Sequence, residues 1–288
     1  MFLLNRRTFL QATAAGVALG LPAGATPASV EVFTASPTGA FVDSVVVVGD
    51  QAALVIDAQL TQADATRLAD QIAATGRRLE TVFITHIHPD HLMGIAVLNQ
   101  RFPGARYVAH PAIAEVLGQM GNGMFESLKG NLGFAGGDIW VPPTPLEGPL
   151  ELEGETFDVL APLRGDTALI TPVSLPLFDT LVATDIVYNG VDLWLAETVT
   201  DEAFAGWRNA LDLLEARPEG TIIPGHKGAG TTDDKSGIAF TRAALDGWEE
   251  ALGTATDRAS LAQAMQEILG MDPDSFFAQN ALNAVYPE

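Results

Sequence analysis

The segment Thr85-His86-Ile87-His88-Pro89-Asp90-His91 constrains this chain more than any other, because it packs three of the five histidines and an aspartate into six residues. Residues 79–84 just before it read as a strand, and residues 90–98 read as a helix. Alternate side chains of an extended segment share a face, so His86 and His88 can converge on one point. Once the chain turns helical, Asp90 and His91 swing toward a neighbouring point. Imidazoles and a carboxylate gathered at a strand end suit Zn²⁺, with Mn²⁺ or Fe²⁺ also compatible. A fold carrying this segment must offer a rigid strand end and bring more ligands to it from distant parts of the chain.

Composition narrows which ligands those can be. The 288 residues include no cysteine, which rules out disulfides, iron–sulfur clusters, thiolate zinc sites and a cysteine nucleophile. Any metal must sit on His, Asp or Glu. With 36 Asp+Glu against 15 Lys+Arg, the net charge is -21. Nucleic-acid binders carry a basic footprint, so that class of partner is not expected. Anionic membrane surfaces are disfavoured for the same reason. A small-molecule substrate, neutral or modestly anionic, fits best.

The N-terminus reads as an address rather than as fold. Asn5-Arg6-Arg7-Thr8-Phe9-Leu10 precedes an Ala- and Gly-rich apolar stretch and then Pro22-Ala23-Gly24-Ala25. Basic, apolar and small-residue regions in that order make a signal peptide, and the arginine pair resembles a bacterial twin-arginine signal. The apolar run is too short for a convincing membrane span. Residues 1–28 are thus expected to engage the twin-arginine export machinery and be cleaved between Ala23 and Ala28. The product would be a periplasmic or secreted protein with no stable membrane anchor.

In the mature chain, residues 41–48 and 52–56 read as a hairpin of buried strands, 63–75 as a helix closed by Gly76, and 105–109 as a strand ending at His110. Residues 111–128 are partly helical, and 130–149 look like a long structured loop. Short strands follow at 155–160, 167–171 and 180–183, then an amphipathic helix at 202–216 and a strand at 221–223. Residues 238–252, 260–269 and 274–284 read as helices of a C-terminal extension. Strands and helices in this order give an α/β (α+β) class, although periodicity does not separate a sandwich from a single open sheet. Asp185 and His226 follow the strands at 180–183 and 221–223, where a rigid sheet can hold site residues.

The histidine segment resembles the motif of the metallo-β-lactamase superfamily, and the likeness spans residues 30–227. Asp57 matches the family's early aspartate, which supports the metal loops. Asp185 in Ala183-Thr184-Asp185 matches the bridging aspartate, and His226 in Pro224-Gly225-His226 the last ligand. The resemblance implies a four-layer αββα sandwich over residues 29–235, with residues 236–288 as a helical extension packed on it. It also implies two metal positions: His86 and His88 with a third histidine at the first, Asp90, His91 and His226 at the second, and Asp185 between them.

One element departs from the pattern. The third histidine is expected near Ala161 or Pro162, and neither residue can bind a metal through its side chain. One zinc is therefore expected and two are compatible, with Asp166 or His110 as substitute ligands. The implied activity is hydrolysis of a small ester, lactone or related substrate, with Asp90 or Asp185 orienting an activated water. The alternative is a periplasmic binding protein of the same fold that is weakly active or inactive and holds one metal or none. Asp43, Glu197, Trp194 and Lys227 are candidates for supporting or lining the site, as are Trp140, Tyr188 and Phe134.

Overall fold

The computed structural model describes residues 29–135 and 137–287, so the signal-like segment 1–28 lies outside the described residues. The first half supplies β1 (Ser29–Thr34), β2 (Asp43–Val48), β3 (Ala52–Ile56), α1 (Gln62–Ala74) and β4 (Arg78–Ile84). It continues through α2 (Pro89–Leu92), α3 (Ile95–Arg101), β5 (Arg106–Ala109), α4 (Pro111–Leu128) and β6 (Thr144–Pro145). These strands form one six-stranded sheet in the order β1-β2-β3-β4-β5-β6. The pairs β1–β2 and β2–β3 are antiparallel, and the pairs from β3 to β6 are parallel.

The second half supplies β7 (Leu150–Leu152), β8 (Glu155–Val159), β9 (Val173–Leu175), β10 (Thr180–Asn189), α5 (Asp201–Glu215) and β11 (Thr221–Lys227). They make a five-stranded sheet in the order β11-β10-β9-β8-β7. The helices α6 (Ser236–Thr254), α7 (Arg258–Ala264) and α8 (Phe276–Val285) follow.

Alternation along β2 and β3 decides how the layers stack. Val45, Val47, Leu54 and Ile56 face the second sheet and pack with Val173, Val182 and Ile223. Val46, Ala53 and Val55 face the other way, onto Leu68 and Ile72 of α1 and Leu117 of α4. On the far side, Leu181 and Val187 of β10 meet Trp207 and Leu211 of α5, Trp248 of α6 and Leu282 of α8. Three separate cores give four layers, helix–sheet–sheet–helix, and the C-terminal helices belong to the outer layer of the second sheet. No helix among the described residues is long and apolar enough to cross a membrane.

Because β2 and β3 are apolar on both faces, hydrophobic pattern alone pins their register weakly. A second contact holds the turn between them. Glu153, in the β7–β8 turn, accepts the backbone N–H groups of Asp50, Gln51 and Ala52 at 2.8, 2.6 and 2.8 Å. Its burial is slight, and these three donors hold its carboxyl below the usual glutamate range.

Several boundaries differ from the sequence expectation. β1 was not anticipated, since Ser29–Thr34 is only half-buried along most of its length and carries a weak apolar signal. The strand expected at 167–171 is absent. That stretch is a loop with one bridge, Leu163 to Ile170, and the pairing strand is β9 further on. β10 does not stop at Ala183 but runs ten residues to Asn189, buried throughout.

Candidate metal centre

The parallel strands β3, β4, β10 and β11 all end toward one rim of the sandwich and deliver their next residues there. Asp57 leaves β3, the histidine segment leaves β4, and β10 and β11 carry Asp185 and His226. The backbone is bent to do this: Asp57 (φ 63), Gln59 (φ 81) and Thr184 (φ 47) are left-handed although none is glycine. Such residues cost about 1–3 kcal/mol each and persist where their surroundings hold them. At Thr184 the β10–β11 register slips, which carries Asp185 toward β11. Gly225 makes that approach feasible, because a Cβ there would lie 1.8 Å from the Asp185 Oδ1.

Among the described residues, two groups of four side chains converge at the rim, each with ligand atoms mutually within 4.8 Å. One is His86, His88, Asp166 and Asp185, and the other is Asp90, His91, Asp185 and His226. His86 Nε2 and His226 Nε2 each lie 3.3 Å from Asp185 Oδ2, and His91 Nε2 lies 3.0 Å from Asp185 Oδ1. His88 Nδ1 is 3.3 Å from Asp166 Oδ2, and His226 Nε2 is 3.3 Å from Asp90 Oδ2. Ligands about 2.0–2.1 Å from a tetrahedral metal are themselves about 3.3–3.4 Å apart, so the spacing fits shared coordination. His86 Nε2, His91 Nε2, Asp166 Oδ1 and Asp185 Oδ1 are moreover buried without a hydrogen-bond partner. Orphaned donors and acceptors of this kind are costly, and divalent ions would satisfy all four.

Neighbouring groups fix which nitrogen faces the centre. Asp57 accepts the Thr85 backbone N–H at 2.9 Å and hydroxyl at 2.7 Å, and its Oδ2 is 2.8 Å from His91 Nδ1. The Nδ1–H of His91 therefore donates to Asp57 and leaves Nε2 free. With the Thr85 hydroxyl donating to Asp57, its oxygen accepts from His86 Nδ1 at 2.9 Å, so His86 also presents Nε2. His226 donates Nδ1–H to the Ala40 carbonyl at 2.7 Å, and Ala40 is itself left-handed. His88 is turned the other way. Its Nε2 is 2.9 Å from Glu197 Oε1, leaving Nδ1 toward Asp166.

Electrostatics follow from this packing. Burial alone would push Asp185 toward the neutral form, but His91, His226 and His86 around it hold its carboxyl well below the usual range. Burial opposes the Glu197 charge too, yet hydrogen bonds from His88 and Thr167 bring its pKa to about 2. For Asp166 burial wins and the carboxyl is raised, with His88 pulling the other way. Tyr188 donates its hydroxyl to Asp166 Oδ2 at 2.7 Å and stacks on the His226 ring at 4.7 Å.

The structure sorts the sequence candidates. His86, His88, Asp90, His91, Asp185 and His226 are brought together, and Asp57 supports them from behind. Asp166 joins them, 0% exposed, so the missing histidine is answered by a carboxylate further along the loop than Ala161 or Pro162. His110 does not take part. It caps α4, its Nδ1 accepting the Ala112 N–H at 3.3 Å. Glu197 and Trp194 flank His88, with Glu197 Oε1 2.9 Å from its Nε2 and the Trp194 ring 6.0 Å from its ring. Lys227 neither faces the centre nor reaches for solvent, since it pairs with Asp233 at 2.8 Å and Asp43 at 3.5 Å. Asp43 is thus a partner of Lys227 beside His226. Its pKa is about 7, raised by burial against the pull of that lysine. Trp140 and Phe134 are not pocket residues but core against Phe125 of α4. Tyr188 lies beneath the centre rather than in a pocket. Thr85, Thr184 and the Ala40 carbonyl were not foreseen, because hydroxyls and carbonyls leave no pattern in sequence.

The sequence model of the metallo-beta-lactamase superfamily matches residues 37–226. The chain belongs to this superfamily. Solved members share the fold at low identity. A metallo-beta-lactamase family protein from Thermus thermophilus is 17% identical with a TM-score of 0.62, over 88% of this chain and 91% of that one. A metallo-beta-lactamase from Pontibacter korlensis is 20% identical with a TM-score of 0.52, over 71% and 87%. A hydroxyacylglutathione hydrolase of Stenotrophomonas maltophilia (strain R551-3) is 42% identical over 60 residues. That match covers 21% of this chain and 22% of the relative, so the chain spans about a fifth of the curated relative it matches. In this chain Asp166, beyond Ala161 and Pro162 in the loop, stands with His86, His88 and Asp185.

Proposed function

We propose that this superfamily member is a metal-dependent hydrolase of a small ester, lactone or related substrate, with zinc as the first candidate metal. The observation that carries the reading is the set of four buried, unpartnered ligand atoms converging beside the partly exposed Asp90. Divalent metal held there would supply hydroxide near neutral pH and polarise the electrophile. His86, His88 and Asp166 would hold one ion, Asp90, His91 and His226 the other, and Asp185 would be shared. Asp90, 17% exposed, is the more accessible of the two carboxylates and would accept a proton from the attacking water. Asp185, fully enclosed, orients rather than exchanges protons with solvent. Trp194 and Phe276 form an apolar wall beside His88, suited to an uncharged or aromatic portion of a substrate.

The reading of an inactive binding protein rested on a missing third ligand at the first position, and the place of Asp166 beside His86 and His88 speaks against it. The test is a hydrolase screen on neutral ester and lactone probes with His91→Ala and His226→Ala as controls. Activity that both substitutions abolish supports the proposal. Activity that survives both refutes it. Export by the twin-arginine route to the periplasm is proposed on the N-terminal sequence alone.

A further inference from the structure

A histidine-rich first position beside a carboxylate-rich second one would be chemically unequal. Here each cluster contains two imidazoles and two carboxylates, with Asp185 common to both. The cause is Asp166. Its Oδ2 sits 3.3 Å from His88 Nδ1 and accepts the Tyr188 hydroxyl, while its Oδ1 is buried without a partner. The Tyr188 bond keeps the carboxyl turned into the cluster. Gly165 lets the loop close over β10, since a Cβ there would lie 2.5 Å from the Asp185 carbonyl oxygen.

We infer that Asp166 makes the two metal positions near-equivalent two-nitrogen, two-oxygen sites, which fill together and discriminate less for Zn²⁺ over Mn²⁺ or Fe²⁺ than a three-histidine site would. Two physical effects point the same way. Carboxylate oxygens are harder donors than imidazole, so replacing one imidazole narrows the margin of zinc over manganese. Three carboxylates, Asp90, Asp166 and Asp185, also offset three of the four positive charges of two divalent ions. Repulsion of the second ion by the first is correspondingly weaker. The inference rests on the proposal that this centre binds metal at all, and the experiment separates the two.

Metal-free full-length protein is titrated with Mn²⁺ and with Zn²⁺ by calorimetry, and Mn²⁺ coupling is followed by electron paramagnetic resonance at half loading. The expected result is two equivalents whose dissociation constants lie within about tenfold, with coupled Mn²⁺ pairs present before saturation. In Asp166→His, the Zn²⁺ to Mn²⁺ affinity ratio should rise about 10–100-fold, and filling should become stepwise. Asp166→Asn, which preserves shape, should weaken one equivalent and spare the other. Circular dichroism on both variants checks that they fold. Wild-type filling in steps separated by a hundredfold or more overturns this inference alone, as does an unchanged metal ratio in Asp166→His. Binding of neither metal to the wild type overturns the hydrolase proposal and this inference with it.

Discussion

At Asp57 one carboxylate accepts the Thr85 amide and hydroxyl and the Nδ1–H of His91, so a residue that need touch no substrate sets the tautomers of His91 and, through Thr85, of His86. Asp57→Asn offers one oxygen and one amide nitrogen where three donors need acceptors. It should weaken metal binding about 10–100-fold while leaving the far-ultraviolet circular dichroism unchanged. Calorimetric affinities equal to the wild type would remove Asp57 from this role. Gly225 is the second sensitive residue. Gly225→Ala forces a methyl group to within 1.8 Å of Asp185 Oδ1, and we expect loss of bound metal by elemental analysis even if the protein still folds. Asp57 was legible in the sequence because it follows a strand end in a recognisable motif, whereas the close approach at Gly225, inside β11, appears only once β10 and β11 are paired. Asp166 was not separable from His110 as the substitute ligand, because a carboxylate in a loop reaches the centre only once Tyr188 and Gly165 have shaped that loop.

Elements contribute through where they end and what they lean on. Glu219 lies in the turn before β11 and accepts the Ser174 hydroxyl of β9 at 2.5 Å and the Arg217 guanidinium at 2.7 Å. Burial opposes its charge, yet these donors hold the carboxyl below its ordinary value. A depressed folded-state pKa contributes stability above the unfolded value, about 4.3, and that contribution is lost as pH falls through the folded one. Glu219→Gln should therefore cost about 1–2 kcal/mol in denaturant unfolding at pH 7, with the difference closing toward pH 3. A gap of constant size across that range would refute the account. The helix α8 has a different use. Phe276 at its start is 72% exposed and stacks on Trp194, 6.0 Å away. Phe276→Ala should leave stability nearly unchanged and raise KM for an aromatic ester with little effect on kcat.

On the scale of the whole molecule, the centre ties the two sheets together. Its ligands come from after β4, from the β8–β9 loop and from β10 and β11, so metal that binds only the folded state must stabilise both halves at once. A metal at a hundred times its dissociation constant adds about 2.7 kcal/mol. Chelation should lower the thermal midpoint, and restored metal should raise it again. An unmoved midpoint on chelating metal-loaded protein would contradict the placement of these ligands. The acidic surface, net -21, surrounds a cluster whose carboxylates bound metal would largely neutralise, so whole-chain charge does not describe the environment of the reacting atoms.

The family, the histidine segment, its distant partners Asp185 and His226, and the alternation of strands and helices are legible in the residues alone. Each of these is local: a motif, a run or a period survives without knowledge of what lies opposite. It takes the folded chain to show that Asp166 joins His86 and His88 while His110 caps a helix, and that Lys227 is occupied by Asp43 and Asp233. The same holds for Trp140 and Phe134, which are core. In each case the outcome depends on which groups, far apart in the chain, are desolvated against one another. No one-dimensional pattern records that pairing, because burial and distance exist only after the sheets have closed.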